Sequence, residues 1–168
     1  QITVLQATLL GFYIMIVSAM VPGPSLWHNA LTTSLWVGLI MGKVPQAIEV
    51  GAALELVFLG ASGAAGGVVI QDEVAGVLVS VPLVLVSGLD TTAAIAVAIP
   101  VALICSQLNN LQELVMSIPT HMADKYAAKG DTKGMTFAHI VMPYLLRALV
   151  RWLPLSILIF VGGTVAQG

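Results

Sequence analysis

The sequence predicts an all-α, polytopic transmembrane protein with broken or re-entrant helices around a substrate cavity. Composition is the first reason. Of 168 residues, 58% are apolar and only 8% charged, with a mean hydropathy of +1.01. A water-soluble domain carries about 25% charged residues, so this chain lacks the polarity to clothe a water-facing surface. Length is the second reason, because apolar runs approach the roughly 20 residues that cross a bilayer. Interruption is the third. Glycine, proline and polar residues break several runs, and irregular backbone at membrane depth is tolerated only where protein buries it or a wet cavity accepts it.

The runs follow in order. Residues 3 to 21 form a first spanning helix, ended by Pro22-Gly23-Pro24. Gln1 opens the chain with no basic stretch before this run, which therefore reads as a span rather than a cleavable signal. Residues 25 to 42 carry Trp27, His28, Asn29, Thr32 and Thr33 in their first half, so that half is expected to re-enter or to line a cavity. Lys43, in a solvated turn, and Pro45 mark the next boundary. Residues 45 to 61 form a helix bearing Glu49 and Glu55. Residues 60 to 67 are too glycine-rich for a regular helix, and broken helices of this kind surround transporter binding sites. Gln71, Asp72 and Glu73 make a second polar cluster before the apolar run 74 to 89, which contains Pro82.

The next helix covers 91 to 108, N-capped by Asp90 or Thr91, kinked at Pro100 and continuing through Gln112 and Glu113. Residues 119 to 135 are the clearly aqueous segment, with Asp124, Lys125, Lys129, Asp131 and Lys133. The last apolar run, 152 to 165, follows Arg147 and Arg151. Five of the six Lys and Arg residues thus fall between 125 and 151, which predicts a cytoplasmic position for that region. Gly38-x-x-x-Gly42 and Gly63-x-x-x-Gly67 have the spacing of close helix approach.

Some functions are disfavoured by the same numbers. A net charge of −2 gives no electrostatic case for nucleic acid. The single cysteine, Cys105, makes no internal disulfide and no metal framework, so neither a metal nor another cofactor is expected. Cys105 is expected to be packed in the core or against lipid, and His121 and His139 to be solvated or at an interface.

Glu55 is the residue the composition makes conspicuous. A carboxylate at bilayer depth costs about 2.5–3.5 kcal/mol on insertion scales, and usually marks a cavity, a partner or an ion path. Glu49 lies six residues earlier, about 600° around a helix and so some 120° from Glu55. The two do not share a face and are no acid/base dyad.

The ordered set Val37-Gly-Leu-Ile-Met-Gly42, Gly51-Ala-Ala-Leu-Glu55-Leu-Val-Phe-Leu-Gly60, Ala96-Val-Ala-Ile-Pro100 and His121-Met-Ala-Asp-Lys-Tyr-Ala-Ala-Lys-Gly130, followed by His139, resembles the IIC subunits of the mannose/fructose/sorbose family of the bacterial sugar phosphotransferase system. The likeness covers essentially all 168 residues. The chain departs from the family pattern at Lys43, at Ile70-Gln71 and at His28-Asn29-Ala30-Leu31.

The resemblance implies one membrane domain over 1–168, the N-terminal part of a longer permease subunit, in a multi-pass arrangement in the bacterial cytoplasmic membrane. It implies a IID membrane partner, the IIA and IIB phosphoryl-transfer proteins, and assembly into a higher oligomer. The complex would bind and carry a hexose or amino sugar, which IIB phosphorylates; the phosphorylated histidines belong to IIA and IIB, so no catalytic residue is expected here. Within such a subunit Glu55 reads as an acceptor for sugar hydroxyls, or as a helix-packing carboxylate. Trp27, His28 and Asn29 read as stacking and hydroxyl-reading groups, or as interfacial residues after a proline turn. Gln71 and Asp72 line the site or form an aqueous turn, and Glu49 lines it or sits at a helix end. Two other classes stay open: a non-transporting membrane interaction or receptor protein of the same fold, and an ion-coupled carrier with Glu55 as relay.

Overall fold

The computed structural model describes residues 2–19, 26–59, 64–65, 68–69 and 71–165. The first helix, α1 (Val4–Ala19), starts on a reciprocal capping box. Thr3 Oγ1 accepts from Gln6 N–H at 3.2 Å while Gln6 Oε1 accepts from Thr3 N–H at 3.0 Å, satisfying two amides that have no intrahelical partner. The Pro22-Gly23-Pro24 break lies outside the described residues. A short 3-10 turn at Leu26–His28 leads into α2 (Ala30–Met41).

Gly42 closes α2 at φ 71°, a left-handed position with open space around it, where glycine avoids the Cβ penalty. It is a cap rather than the helix-approach glycine its spacing suggests. Gly38 does make the approach: a Cβ there would sit 2.8 Å from Val44 Cα and 2.9 Å from Ala47 Cβ. The chain turns straight into α3 (Val44–Phe58), with Pro45 in the first turn where no backbone donor is needed. Gly51 of α3 packs against the Ser34 hydroxyl of α2, so α2 and α3 form a tight hairpin.

Ala64–Ala65 pair antiparallel with Val68–Val69 in a four-residue bridge. The rest of the glycine-rich stretch, including Gly63 and Gly67, lies outside the described residues. Next come α4 (Glu73–Ser87) and α5 (Thr91–Val115). Asp72 caps α4 by accepting from Ala75 N–H at 3.1 Å, and Asp90, not Thr91, caps α5 through Ala93 N–H at 3.1 Å. The helix α5 does run on past Gln112 and Glu113.

The aqueous segment is also helical, as α6 (Ser117–Ala128) and α7 (Thr132–Thr136). From Thr132 one helix continues to Thr164 through a π segment (Phe137–Val141), α8 (Met142–Arg147), a second π segment (Ala148–Trp152) and α9 (Leu153–Val165). Arg147 and Arg151 therefore lie inside a helix and not in a loop. The exposed cations of this region reduce to Lys125, Lys129 and Lys133.

The core gathers on α4, whose residues from Val74 to Pro82 are all buried. A helix apolar all round belongs at the centre of its bundle, and α4 packs on α1, α2, α3, α5 and α9. Its contact with α5 is close because Ala94, Ala98 and Ala102 form a small-residue stripe opposite Gly76. Small residues drive helix association where lipid removes the hydrophobic drive. The outer faces are different. Leu149, Leu153, Ile157 and Val161 repeat every fourth residue and all are exposed. The two helices long and apolar enough to cross a membrane have only 28% and 22% of their apolar windows buried, the pattern of lipid-facing rather than core helices.

Candidate functional site

The lengths of α2, α3 and α4 place the site. Their 12, 15 and 15 residues rise about 18, 22 and 22 Å, short of a hydrocarbon core of about 30 Å. Lys43, in the turn between α2 and α3, donates from Nζ to Leu85 O in the last turn of α4 at 2.6 Å. That tie puts the hairpin turn and the end of α4 on one side. The opposite ends, namely the start of α2, the end of α3 and the start of α4, fall within the molecule's interior layer.

Asp72 fixes the depth of that layer. Its N–H donates to Ala102 O of α5 at 3.1 Å. Ala102 is eleven residues beyond the start of α5, or about 16 Å along it, near the middle of a bilayer-sized helix.

Four groups meet there. The Asp72 carboxylate is buried and forms an ion pair between its Oδ2 and Arg151 Nη2. Arg151 Nη1 also donates to Asn109 Oδ1 of α5 at 3.2 Å. His28 is half-buried and within electrostatic reach of both Arg151 and Asp72. Asp72 thus joins α4 to α5 and to the long C-terminal helix through one carboxylate, one guanidinium and one backbone amide. Removing one partner from such a buried pair is strongly destabilising, because the other charge is left uncompensated.

Glu55 is half-buried near the end of α3, and its Oε2 accepts from Leu31 N–H at 3.0 Å. Leu31 is in the first turn of α2, where amides lack intrahelical partners and the helix dipole favours an anion. One arm of the hairpin therefore supplies the cap of the other. A carboxylate offers about four lone-pair sites, so this bond leaves most of its accepting capacity open. Glu73, half-buried, lies within electrostatic reach of Glu55 and Asp72, which draws the two acidic positions into one region.

The other sequence candidates divide. Asn29 is the half-buried N-cap residue of α2, with its carbonyl accepting from Thr33 Oγ1 at 2.9 Å and no side-chain cap bond. Trp27 is half exposed, and its carbonyl accepts from Tyr13 Oη at 2.9 Å. Gln71 is half-buried directly before Asp72. Glu49 is exposed on α3, on a different face from Glu55. Lys43 is exposed in its turn but engaged with α4, Cys105 is buried, and His121 and His139 are exposed. Among the described residues, no three His, Cys, Asp or Glu side chains are grouped to hold a metal ion.

Arg151 is the correction and the omission. Sequence groups it with the loop cations, yet it is buried and pairs with a residue 79 positions away. Asn109 is equally absent from the sequence candidates. The available signal was the one that singles out Glu55, a charge inside a long apolar helix. The cluster as a whole can accept and donate hydrogen bonds at mid-depth; it pairs no nucleophile with a base.

Comparisons with known proteins bear on the family and the fold. The family described as "PTS system sorbose-specific IIC component" matches residues 4–168. The chain is 28% identical over 114 residues to the mannose-specific EIIC component of Escherichia coli K12, and 30% identical over 113 residues to the fructose permease IIC component of Bacillus subtilis strain 168. These matches cover 68% and 67% of this chain and 42% of each relative. A chain of the cryo-EM complex of the mannose transporter ManYZ with microcin E492 superposes with a TM-score of 0.81 at 26% identity, over 97% of this chain and 65% of that one. The chain thus spans about two-fifths of the length of the curated relatives it matches.

Proposed function

Since the chain belongs to the sorbose-specific IIC family of phosphotransferase-system components, we propose that it is the membrane permease subunit of a sugar uptake system, binding a hexose or amino sugar at the mid-depth cluster. The observation that carries this is the Glu55 carboxylate, held at the start of α2 by Leu31 N–H with lone pairs to spare. Sugar hydroxyls are donors, and charge-assisted hydrogen bonds are the strong ones. His28 and Asn29 at the start of α2 and Gln71 before α4 supply further polar groups, with Trp27 beside them. Asp72 serves mainly through its ion pair, fixing the start of α4 against α5 and Arg151.

The substrate would be released toward the cytoplasm for phosphorylation by a IIB protein charged by IIA, with no phosphorylated residue in this chain. The named assembly of the mannose transporter, ManYZ, supports a second membrane subunit of the IID type that completes the path. The location is a multi-pass position in the bacterial cytoplasmic membrane, with Lys125, Lys129 and Lys133 on the inner side.

Glu55 has a second reading, as a helix cap alone, and the Leu31 bond favours it directly. One substitution separates the readings. Glu55→Gln keeps an acceptor for Leu31 N–H but loses the charge. If Glu55 binds sugar, Glu55→Gln melts like wild type and loses sugar affinity in the complex with IID. A cap-only Glu55 would leave affinity for mannose, fructose, sorbose and glucosamine untouched in that variant.

A further inference from the structure

A polar cavity of 500 Å³ lies about one helical turn beyond Asn109 and Arg151, between the end of α5, the start of α6, the first π segment and α8. Its lining includes Glu113, Thr120, His139, Ile140, Tyr144 and Arg147, none of which takes part in the proposed sugar site. Glu113 is 22 residues beyond Thr91, about 33 Å along α5, while Tyr144 is 20 residues before Thr164, about 30 Å along the antiparallel helix. Both distances match the thickness of the hydrocarbon core, so the cavity opens at headgroup level. It adjoins the aqueous helices, and the flanking Leu114, Ile118 and Leu145 are exposed.

Arg147 carries an unmet demand. Its Nε is buried with no hydrogen-bond partner, and a buried donor without an acceptor is costly. A guanidinium fork matches the oxygens of a phosphate in geometry and charge. Glu113 brings the opposite charge into the same cavity, and its Oε1 takes only a long bond of 3.4 Å from Gln112 Nε2. The Tyr144 ring adds a face for a cation. Cation and anion in one cavity suit a zwitterion better than an anion. A hydrogen-bonding carboxylate suits a primary amine better than a quaternary one.

We propose that this cavity binds the headgroup of an aminophospholipid, with the phosphate on Arg147 and the ammonium on Glu113. Free phosphoethanolamine carries the same polar chemistry; the exposed apolar rim assigns the site to the lipid, whose glycerol and chains would lie along Ile140 and its neighbours. The lipid would then wedge α5 against the long C-terminal helix where α6 joins them.

The test uses the intact membrane protein, purified in detergent and stripped of lipid, titrated with dihexanoyl phosphatidylethanolamine, phosphatidylglycerol and phosphatidylcholine, and with soluble phosphoethanolamine. Phosphatidylethanolamine is expected to bind at least tenfold more tightly than the other three ligands. Arg147→Gln should weaken both phosphatidylethanolamine and phosphatidylglycerol at least tenfold, and Glu113→Gln should erase the preference between them. Equal binding of all three lipids, or unchanged binding in Arg147→Gln, would overturn the proposal. Soluble phosphoethanolamine binding as tightly as the lipid would overturn the lipid assignment. Should Arg147→Gln fail to fold, Glu113→Gln at its exposed position decides alone: a retained preference for the ethanolamine lipid overturns it.

Discussion

Asp72 and Arg151 show how one ion pair sets the floor of the site. Both are buried, and each is compensated by the other, with Asn109 bonding Arg151 and the α4 amide of Ala75 bonding Asp72. Arg151→Met should lower stability by about 3–5 kcal/mol, because the Asp72 carboxylate remains buried and unpaired. Thermal melting in detergent measures this, and pairing the substitution with Asp72→Asn should recover a substantial part of the loss. An Arg151→Met variant as stable as wild type would mean that the pair bears no structural weight. Glu55 was legible from the sequence because its whole neighbourhood is apolar. Arg151 was not, since it follows a run of true surface cations and its partner lies 79 residues away. A pairing across that separation depends on how α4 and the long helix cross, which no local pattern encodes.

At the level of elements, the short helices were legible through their punctuation. Pro45, Asp90 and the polar start of α2 mark boundaries that the structure reproduces within a few residues. The glycine spacing was read less well, because Gly42 and Gly38 look alike in sequence and act differently. Gly42→Ala should cost about 1–2 kcal/mol, the penalty for a Cβ at left-handed φ, with no packing effect because nothing surrounds it. Gly76→Ala should cost about 1–3 kcal/mol by overpacking, since its Cβ would meet Ala98 O at 2.9 Å, a backbone atom with little freedom to move. Chemical denaturation of the two variants distinguishes the mechanisms. The further change Ala102→Gly beside Gly76→Ala should rescue part of the loss, while no neighbouring change rescues Gly42→Ala. The continuous helix from 132 to 164 was hidden because its first residues, through 135, read as the end of the aqueous segment and 152 to 165 as a separate span.

The whole molecule is a membrane bundle whose central helix, α4, is surrounded by its neighbours and whose long helices show apolar faces outward. Composition made the all-α membrane class legible, since so few charges cannot cover a soluble surface. The membrane orientation is open to direct measurement. Cys105 is the only cysteine and is buried, so Lys129→Cys in a Cys105→Ser background gives a single accessible thiol. An impermeant maleimide should label it in inside-out vesicles and leave it unlabelled in intact cells; the reverse pattern would invert the assigned topology. The identity of the proposed sugar was not legible, because selectivity at such a site would rest on the geometry of a few hydrogen bonds between helix ends far apart in sequence. The claim at the centre of the account, that Glu55 binds substrate, is tested most directly by calorimetric titration of the assembled complex with a IID subunit. Wild type and Glu55→Gln are compared across mannose, fructose, sorbose and glucosamine. Losing a charge-assisted hydrogen bond of about 1.5–3 kcal/mol predicts affinity at least about tenfold weaker in the variant at an unchanged melting temperature. Equal dissociation constants for the two proteins would contradict it.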